Sequence, residues 1–292
     1  MMARPLRPRP AGVRRQPGAG ARRRTGKPLA GGPVAGPIIA GVQPQVIRYS
    51  ERPGLWAGLS GLTGEVWPEY NTHGATLNRY WPQLYDVFPD WQFVLWDPAR
   101  QTVLAEGHTA PVAWDGTDAG LGPGIDATIA AAFELRAAGG QPTAVCALAA
   151  EIPPRHQGRG LSGPMLQAMG RLAREAGFGH LIAPVRPSRK DRYPTIPIAR
   201  YARWTREDGL PFDPWLRVHA RLGARIGPVI PRSLRIAGSA GDWESWTGMA
   251  FPETGDYVFP AGLATVHIDR EAGTGEYFEP NVWVIHQAGP PG

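Results

Sequence analysis

Cysteine occurs once in the 292 residues, at Cys146, so the chain forms no internal disulfide and no thiolate metal cluster. No run of 18 apolar residues is present, and nothing in the chain reads as a membrane-spanning helix. A soluble, cytoplasmic protein with no metal is the expectation. Lysine is nearly absent, two residues against 29 arginines, a bias that reflects genome composition as much as function. Acidic residues are missing from positions 1–44, which carry eight Arg and one Lys. The formal charge of +6 therefore belongs to the N-terminal segment, and the remaining 22 basic and 25 acidic residues give a net of −3.

What is present divides the same way. The first 44 residues, rich in Arg, Pro and Gly, cannot bury enough apolar surface to offset ordering entropy and read as a disordered basic tail. Clustered arginines suit phosphate contacts, but no aromatics interleave them for base stacking, so a nucleic-acid partner is not expected. Residues 45–292 read as one domain, with 42% hydrophobic content and eleven tryptophans across the chain supplying a core.

Along that domain the pattern is mixed α/β. "QVIRYS" (45–50), "WQFVLWD" (91–97) and "QTVLAEGHTAPVAW" (101–114) read as strands, with "DPAR" as the turn between the last two. "NTHGATLNRYWPQLYDVF" (71–88), capped by Asn71 or Thr72, and "GIDATIAAAFELRAAG" (124–139) read as helices. "PTAVCALAAEI" (142–152) is continuous and apolar, as in a central strand buried on both faces or a buried helix. "LSGPMLQAMGRLAREAGF" (161–178) is amphipathic, with Leu161, Met165, Met169, Leu172 and Ala176 on one stripe. "HLIAPV" (180–185) follows as a strand, then a loop, helices over 198–209 and 213–227 with Asp213 as cap, and strands "RSLRIAG", "DYVFPAG", "ATVHID" and "NVWVIH".

The stretch "IPPRHQGRGLSGPMLQAM" (152–169) joins the apolar strand to the amphipathic helix. Glycine-rich backbone at a helix N-terminus presents free N–H groups to an anion, and Arg155 and Arg159 add charge. No Gly-Lys-Ser/Thr follows, which excludes the phosphate loop of nucleoside triphosphatases. Gly158, Gly160 and Gly163 spell G-x-G-x-x-G, but five residues with two prolines separate the strand from the first glycine, and no acid follows the next strand to hold a ribose.

The loop resembles the acyl-CoA-binding turn of the GNAT acyltransferase superfamily, Gln/Arg-x-x-Gly-x-Gly/Ala. Arg155-x-x-Gly158-x-Gly160 matches letter for letter. Gln157-x-x-Gly160-x-Ser162 departs at its last position but sits at the usual distance from the strand, and is the preferred register. "VHARLGA" (218–224) is similar to the superfamily's Leu-Tyr-x-x-Leu-Gly-Phe ending, with His219 where a tyrosine often stands and Ala224 for the final Phe. The stretch from Ser188 to Asp213 reads as an insertion.

The resemblance implies a central mixed, mostly antiparallel sheet with one splayed strand pair, flanked by helices. It implies transfer of an acetyl or other acyl group from acyl-CoA directly to a small-molecule amine. Pantetheine would pair with backbone near Ala150 and Ile152, and the pyrophosphate would sit on Gln157, Gly158, Arg159, Gly160, Leu161 and Ser162. An acyl-carrier-protein donor, or CoA binding without catalysis, would fit the same fold, and a homodimer is an open expectation.

Glu151, the acid in the apolar strand and nearest the loop, is the candidate base; pairing with Arg155 or Arg159 is the structural alternative. His219 is the candidate proton donor to the leaving thiolate, or an ordinary helix histidine. Cys146 reads as core. The aromatics at 56, 67, 80, 81, 243 and 246 read as core or as walls of an acceptor pocket, and 206–215 as a surface loop or a lid.

Overall fold

The computed structural model describes residues 44–59 and 62–289. All of the expected tail except Pro44 lies outside the described residues. In chain order the elements are β1 (Gln45–Arg48), α1 (Leu62–Val66), α2 (Ala75–Tyr80), α3 (Leu84–Val87), β2 (Gln92–Asp97), β3 (Thr102–Val112), α4 (Ile125–Ala137) and β4 (Ala144–Glu151). Then follow α5 (Ser162–Glu175), β5 (His180–Val185), α6 (Ile198–Tyr201), α7 (Pro214–Arg221), β6 (Arg225–Ser239), α8 (Ala240–Thr247), β7 (Gly255–Tyr257), β8 (Val266–Asp269) and β9 (Thr274–Gln287).

The strands form one sheet in the order β1-β2-β3-β4-β5-β9-β8-β7, with β6 also paired to β9. Its pairings are antiparallel except β4 with β5. That parallel contact is brief: Val145 faces Leu181 and Cys146 faces Ile182, and pairing then stops although β4 runs on to Glu151 and β5 to Val185. The β3–β4 register explains the departure. Thr109 faces Ala147 but His108 faces Ala149, so Leu148 is an extra residue. Such a bulge bends and twists its strand. The expected mostly antiparallel sheet with a splayed pair is what the structure has.

Both faces of β4 are covered, as its unbroken apolar run requires. On one face α5 lays Met165, Met169 and Leu172 over Phe93, Leu95, Val145 and Ala147. A side chain at Gly107 would meet the Phe93 ring and the Met165 sulfur within 2.4–2.8 Å, so glycine lets α5 sit close to β3. The other face packs Ile129 and Ala132 of α4 and Leu84 of α3 against Cys146, Leu148 and Ile182. A second core over the β6–β9 ribbon gathers Trp243, Tyr70, Phe251, Phe259 and Tyr277.

Several elements differ from the sequence reading for local reasons. The helix expected over 71–88 is broken into short turns around Gly74 and Pro82; Gly74, not Asn71 or Thr72, is the N-cap of α2. The helix expected over 198–209 ends at Tyr201, because the chain turns at Gly209 (φ +76°) and bridges Thr205 to Pro211. The next helix stops at Arg221, where Gly223 adopts φ +82°, and residues from 225 join the long strand β6.

The 188–213 insertion is anchored to the domain by a few buried side chains, among them Lys190, Ile198, Tyr201 and Asp213. Tyr193, Tyr201, Trp204 and Phe212 make edge-on and tilted ring contacts. Lys190, 1% exposed, donates to the carbonyls of Tyr193 (2.7 Å), Pro194 (3.3 Å) and Leu263 (2.6 Å). Asp213 caps α7 through the N–H groups of Trp215 and Leu216 and also accepts from Tyr201 Oη (2.8 Å) and the Arg189 N–H (2.9 Å). Loss of the cap and of the buried bonds sets the expectation for Asp213→Ala: destabilisation by about 2–4 kcal/mol in urea unfolding.

Candidate active site

Two prolines after β4 force the chain into a 3-10 turn over Pro154–His156 before it meets α5. Gly158 (φ +72°) and Gly160 (φ +77°) both take left-handed backbone that other residues rarely adopt. Gln157 donates its side-chain amide to the Ile152 carbonyl at 2.9 Å, tying the turn back to the strand end. The N–H groups from Gly158 through Gly163 donate to no group among the described residues. A Cβ at Gly158 would meet nothing within 4 Å, so that backbone is open to a ligand.

Charge around the turn is positive. Burial and then Arg159 and Arg155 push the His156 imidazole pKa down, while Arg155 also pairs with Glu65. Gln157, Gly158, Arg159 and Gly160 are exposed, Ser162 is half-buried and Leu161 is buried in the core, so Leu161 offers only its backbone. A helix N-terminus with bare N–H groups and arginines beside it suits an anion.

Ala150 is half-buried and lies against Gly107 of β3. Next to it Glu151, 0% exposed, stands directly opposite Glu106, 3% exposed. The indole N–H of Trp67 donates to Glu151 at 2.6 Å; Trp56 and Tyr85 (2.9 Å) donate to Glu106. His108, two residues along β3, is 1% exposed and lies tilted against the Trp81 ring, centroids 4.8 Å apart. Burial raises the Glu106 pKa, against the Trp56 and Tyr85 bonds, and burial lowers that of His108. One atom from each of Glu106, His108 and Glu151 lies within 4.8 Å of the others.

The structure does not bring His219 to Glu151. His219 Nδ1 is 2.8 Å from Nε2 of His286, which pairs with Leu181 at the start of β5. Leu181 is level with Val145, six residues before Glu151, roughly 20 Å at strand spacing. Burial and then His286 depress the His219 pKa to about 3, and burial depresses that of His286 to about 4. Proton donation by an imidazolium, the role expected of His219, is not served by this placement. Cys146 is buried with its thiol pKa pushed up by burial, as a core residue.

No protein-family model matches the chain. It is 30% identical over 247 residues to the arginine N-acetyltransferase avaD of Aspergillus versicolor, covering 76% of this chain and 85% of the relative. This chain belongs to the GNAT superfamily of N-acyltransferases. Its fold matches the loading GNATL domain of CurA from Lyngbya majuscula with a TM-score of 0.51 at 17% identity, over 84% of this chain and 98% of that domain. A GNAT-like decarboxylase, GphF in complex with isobutyryl-CoA, aligns over 84% of this chain and 99% of its own, with a TM-score of 0.48 and 17% identity. As a GNAT protein the chain is an acyl-CoA-dependent N-acyltransferase acting on an amine, and the open turn with its two arginines and the splayed strand edge fit that co-substrate.

The sequence reading singled out Glu151 but not Glu106, His108 or Gln92, which the structure sets beside it. The signal was there: in "AEGHTA" the two polar residues are spaced by two inside a buried strand, which puts them on one face. The aromatics divide. Trp56, Trp67 and Trp81 gather at the carboxylates, whereas Trp243 is core and Trp246 stacks on His73.

Two outcomes follow from this geometry. Gly160→Glu strains the left-handed backbone and sets an anion against the helix terminus, so calorimetry is expected to show acetyl-CoA affinity falling by roughly a hundredfold or more. The depressed pKa values of His219 and His286 mean the unfolded chain binds more protons below about pH 6.5. Stability present above that pH is therefore lost as pH falls towards 4, on the order of 2 kcal/mol per histidine by pH 5, and His219→Gln flattens the dependence in thermal melts.

Proposed function

We propose that the acyl group is acetyl, that the acceptor is a small cationic amino acid of the arginine type, and that Glu151 is the base that takes the acceptor's proton. The observation that carries the reading is the position of Glu151: the last residue of β4, buried, five residues beyond the last pairing of β4 with β5. The printed activity of the avaD relative, together with the net acidity of residues 45–292, supports a cationic acceptor.

Bound acyl-CoA supplies the thioester that the amine attacks. Gly158, Arg159, Gly160, Leu161 and Ser162 would offer backbone N–H groups to its pyrophosphate, with Arg159 adding side-chain charge at the rim. Gln157 holds the turn to Ile152. Along Ala150–Ile152 the edge of β4 that β5 has left would accept pantetheine as an added strand, and an N–H there would receive the carbonyl oxygen as charge develops. The acceptor's nitrogen enters as the free amine, and Glu151 takes the proton it sheds as it attacks.

The test is acetyl transfer from acetyl-CoA to a panel of arginine, lysine, putrescine and an aromatic amine, read by mass spectrometry. Arginine is expected to give the highest kcat/KM, and acetylation of the aromatic amine alone would overturn the reading. Glu151→Gln is expected to lower kcat roughly 10²–10⁴-fold while acetyl-CoA binding persists.

A further inference from the structure

The tautomer of His108 can be read from its neighbours. Gln92, fully buried, donates its side-chain amide to the carbonyls of Phe88 and Thr109, both at 3.0 Å. Its carbonyl oxygen is thereby turned to His108 Nδ1, also at 3.0 Å. An oxygen there accepts, so Nδ1 carries the hydrogen, and Nε2 is left with a lone pair. That Nε2 is buried, has no hydrogen-bond partner, and faces a Glu106 oxygen at 3.7 Å. A lone pair facing a buried carboxylate is repulsive unless a proton lies between them. Glu106 is in turn opposite Glu151 in the sheet, and two buried carboxylates at that range do not both stay ionised at low cost.

We propose that Glu106, His108 and Glu151 form a proton-holding cluster that keeps one proton at rest and takes the acceptor's proton as its second, with His108 the terminal acceptor behind Glu151. The proposal rests on the reading of Glu151 as base. As the amine nitrogen bonds to the thioester carbon, the carbon–sulfur bond breaks and its electron pair leaves on the CoA sulfur, which takes a proton from solvent. The nitrogen's proton passes to a Glu151 oxygen and then to His108 Nε2, while Nδ1–H stays on Gln92. With the resting proton kept on Glu106, the imidazolium formed faces the ionised Glu151 carboxylate, which stabilises it. His108 thus positions protons through Glu151 and does not touch the acceptor.

The titratable and polar groups around His108 come from every element packed against it. They are Gln92 of β2, Glu106 of β3, Glu151 of β4 and Tyr85 of α3, whose hydroxyl bonds Glu106, with Tyr49 against the Tyr85 ring. Trp81 covers the imidazole, and Trp56 and Trp67 hold the carboxylates.

The experiment is the pH dependence of kcat for the full chain with acetyl-CoA and the acceptor found in the panel, for wild type, His108→Gln, Glu106→Gln and Glu151→Gln. Below the acidic limb the cluster already holds both protons and cannot take another. Without the imidazole the last site to fill is a carboxylate, so in His108→Gln the limb is expected to move to lower pH by at least about half a unit. Its plateau kcat is expected to fall at least about tenfold, with KM for acetyl-CoA within about twofold. Glu106→Gln places an amide donor against the His108 lone pair and is expected to show a comparable loss, and it decides the matter if His108→Gln does not fold. A wild-type limb and plateau in the folded variants, with Glu151→Gln inactive, would overturn this proposal and leave the base assignment standing. Full activity in Glu151→Gln would overturn both.

Discussion

Everything at the candidate site depends on β4 and β5 ceasing to pair after two registers. A parallel pair that continued to Glu151 and Val185 would satisfy its own backbone and close the sheet. The extra residue at Leu148 turns β4 away while β3 still holds it, so one edge of β4 from Ala147 onward is left without its parallel neighbour inside a sheet whose two faces are covered. Unpaired backbone edges in such a place are costly unless a ligand or water uses them. The glycine-rich turn continues directly from that edge, and the helix terminus it feeds supplies the complementary charge for an anion. Strand edge, turn and helix follow one another along one side of the sheet, as the proposed reading of an extended, anionic thioester requires.

The same bulge sets the chemistry on the other face. By shifting the register it seats Glu151 opposite Glu106 and Ala149 opposite His108, so three ionisable groups meet in a region closed by tryptophans. Indole and phenol donors hold the carboxylates, and the Gln92 amide, fixed by two backbone carbonyls, orients the imidazole. Charge buried at this density is stabilised only when each oxygen and nitrogen has an assigned partner or proton.

Strand β4, the glycine-rich turn and the place of Glu151 at the strand end were legible in the sequence because each is local, whereas the sheet's topology came from the resemblance. An apolar run, a glycine spacing and an acid at a strand end need no tertiary information. What could not be read was set by distant partners. The insertion reads as a loop and a helix over 198–209; what ties it down, Lys190 reaching Leu263 and Asp213 reaching Tyr201 and Arg189, is visible only in the structure. His219 matched a motif position, but the motif does not say that His286, 67 residues on, occupies its ring nitrogen. Glu106 and His108 carried a period-two signal, and only the β3–β4 register shows that they face Glu151.

Hydrogen–deuterium exchange of the full chain with and without acetyl-CoA tests the central claim most directly. If the splayed edge and the turn hold the co-substrate, amides of residues 150–163 gain protection on binding, while those of β7 and β8, at the far edge of the sheet, do not change. Protection confined to other segments, or none at saturating acetyl-CoA, would contradict the account.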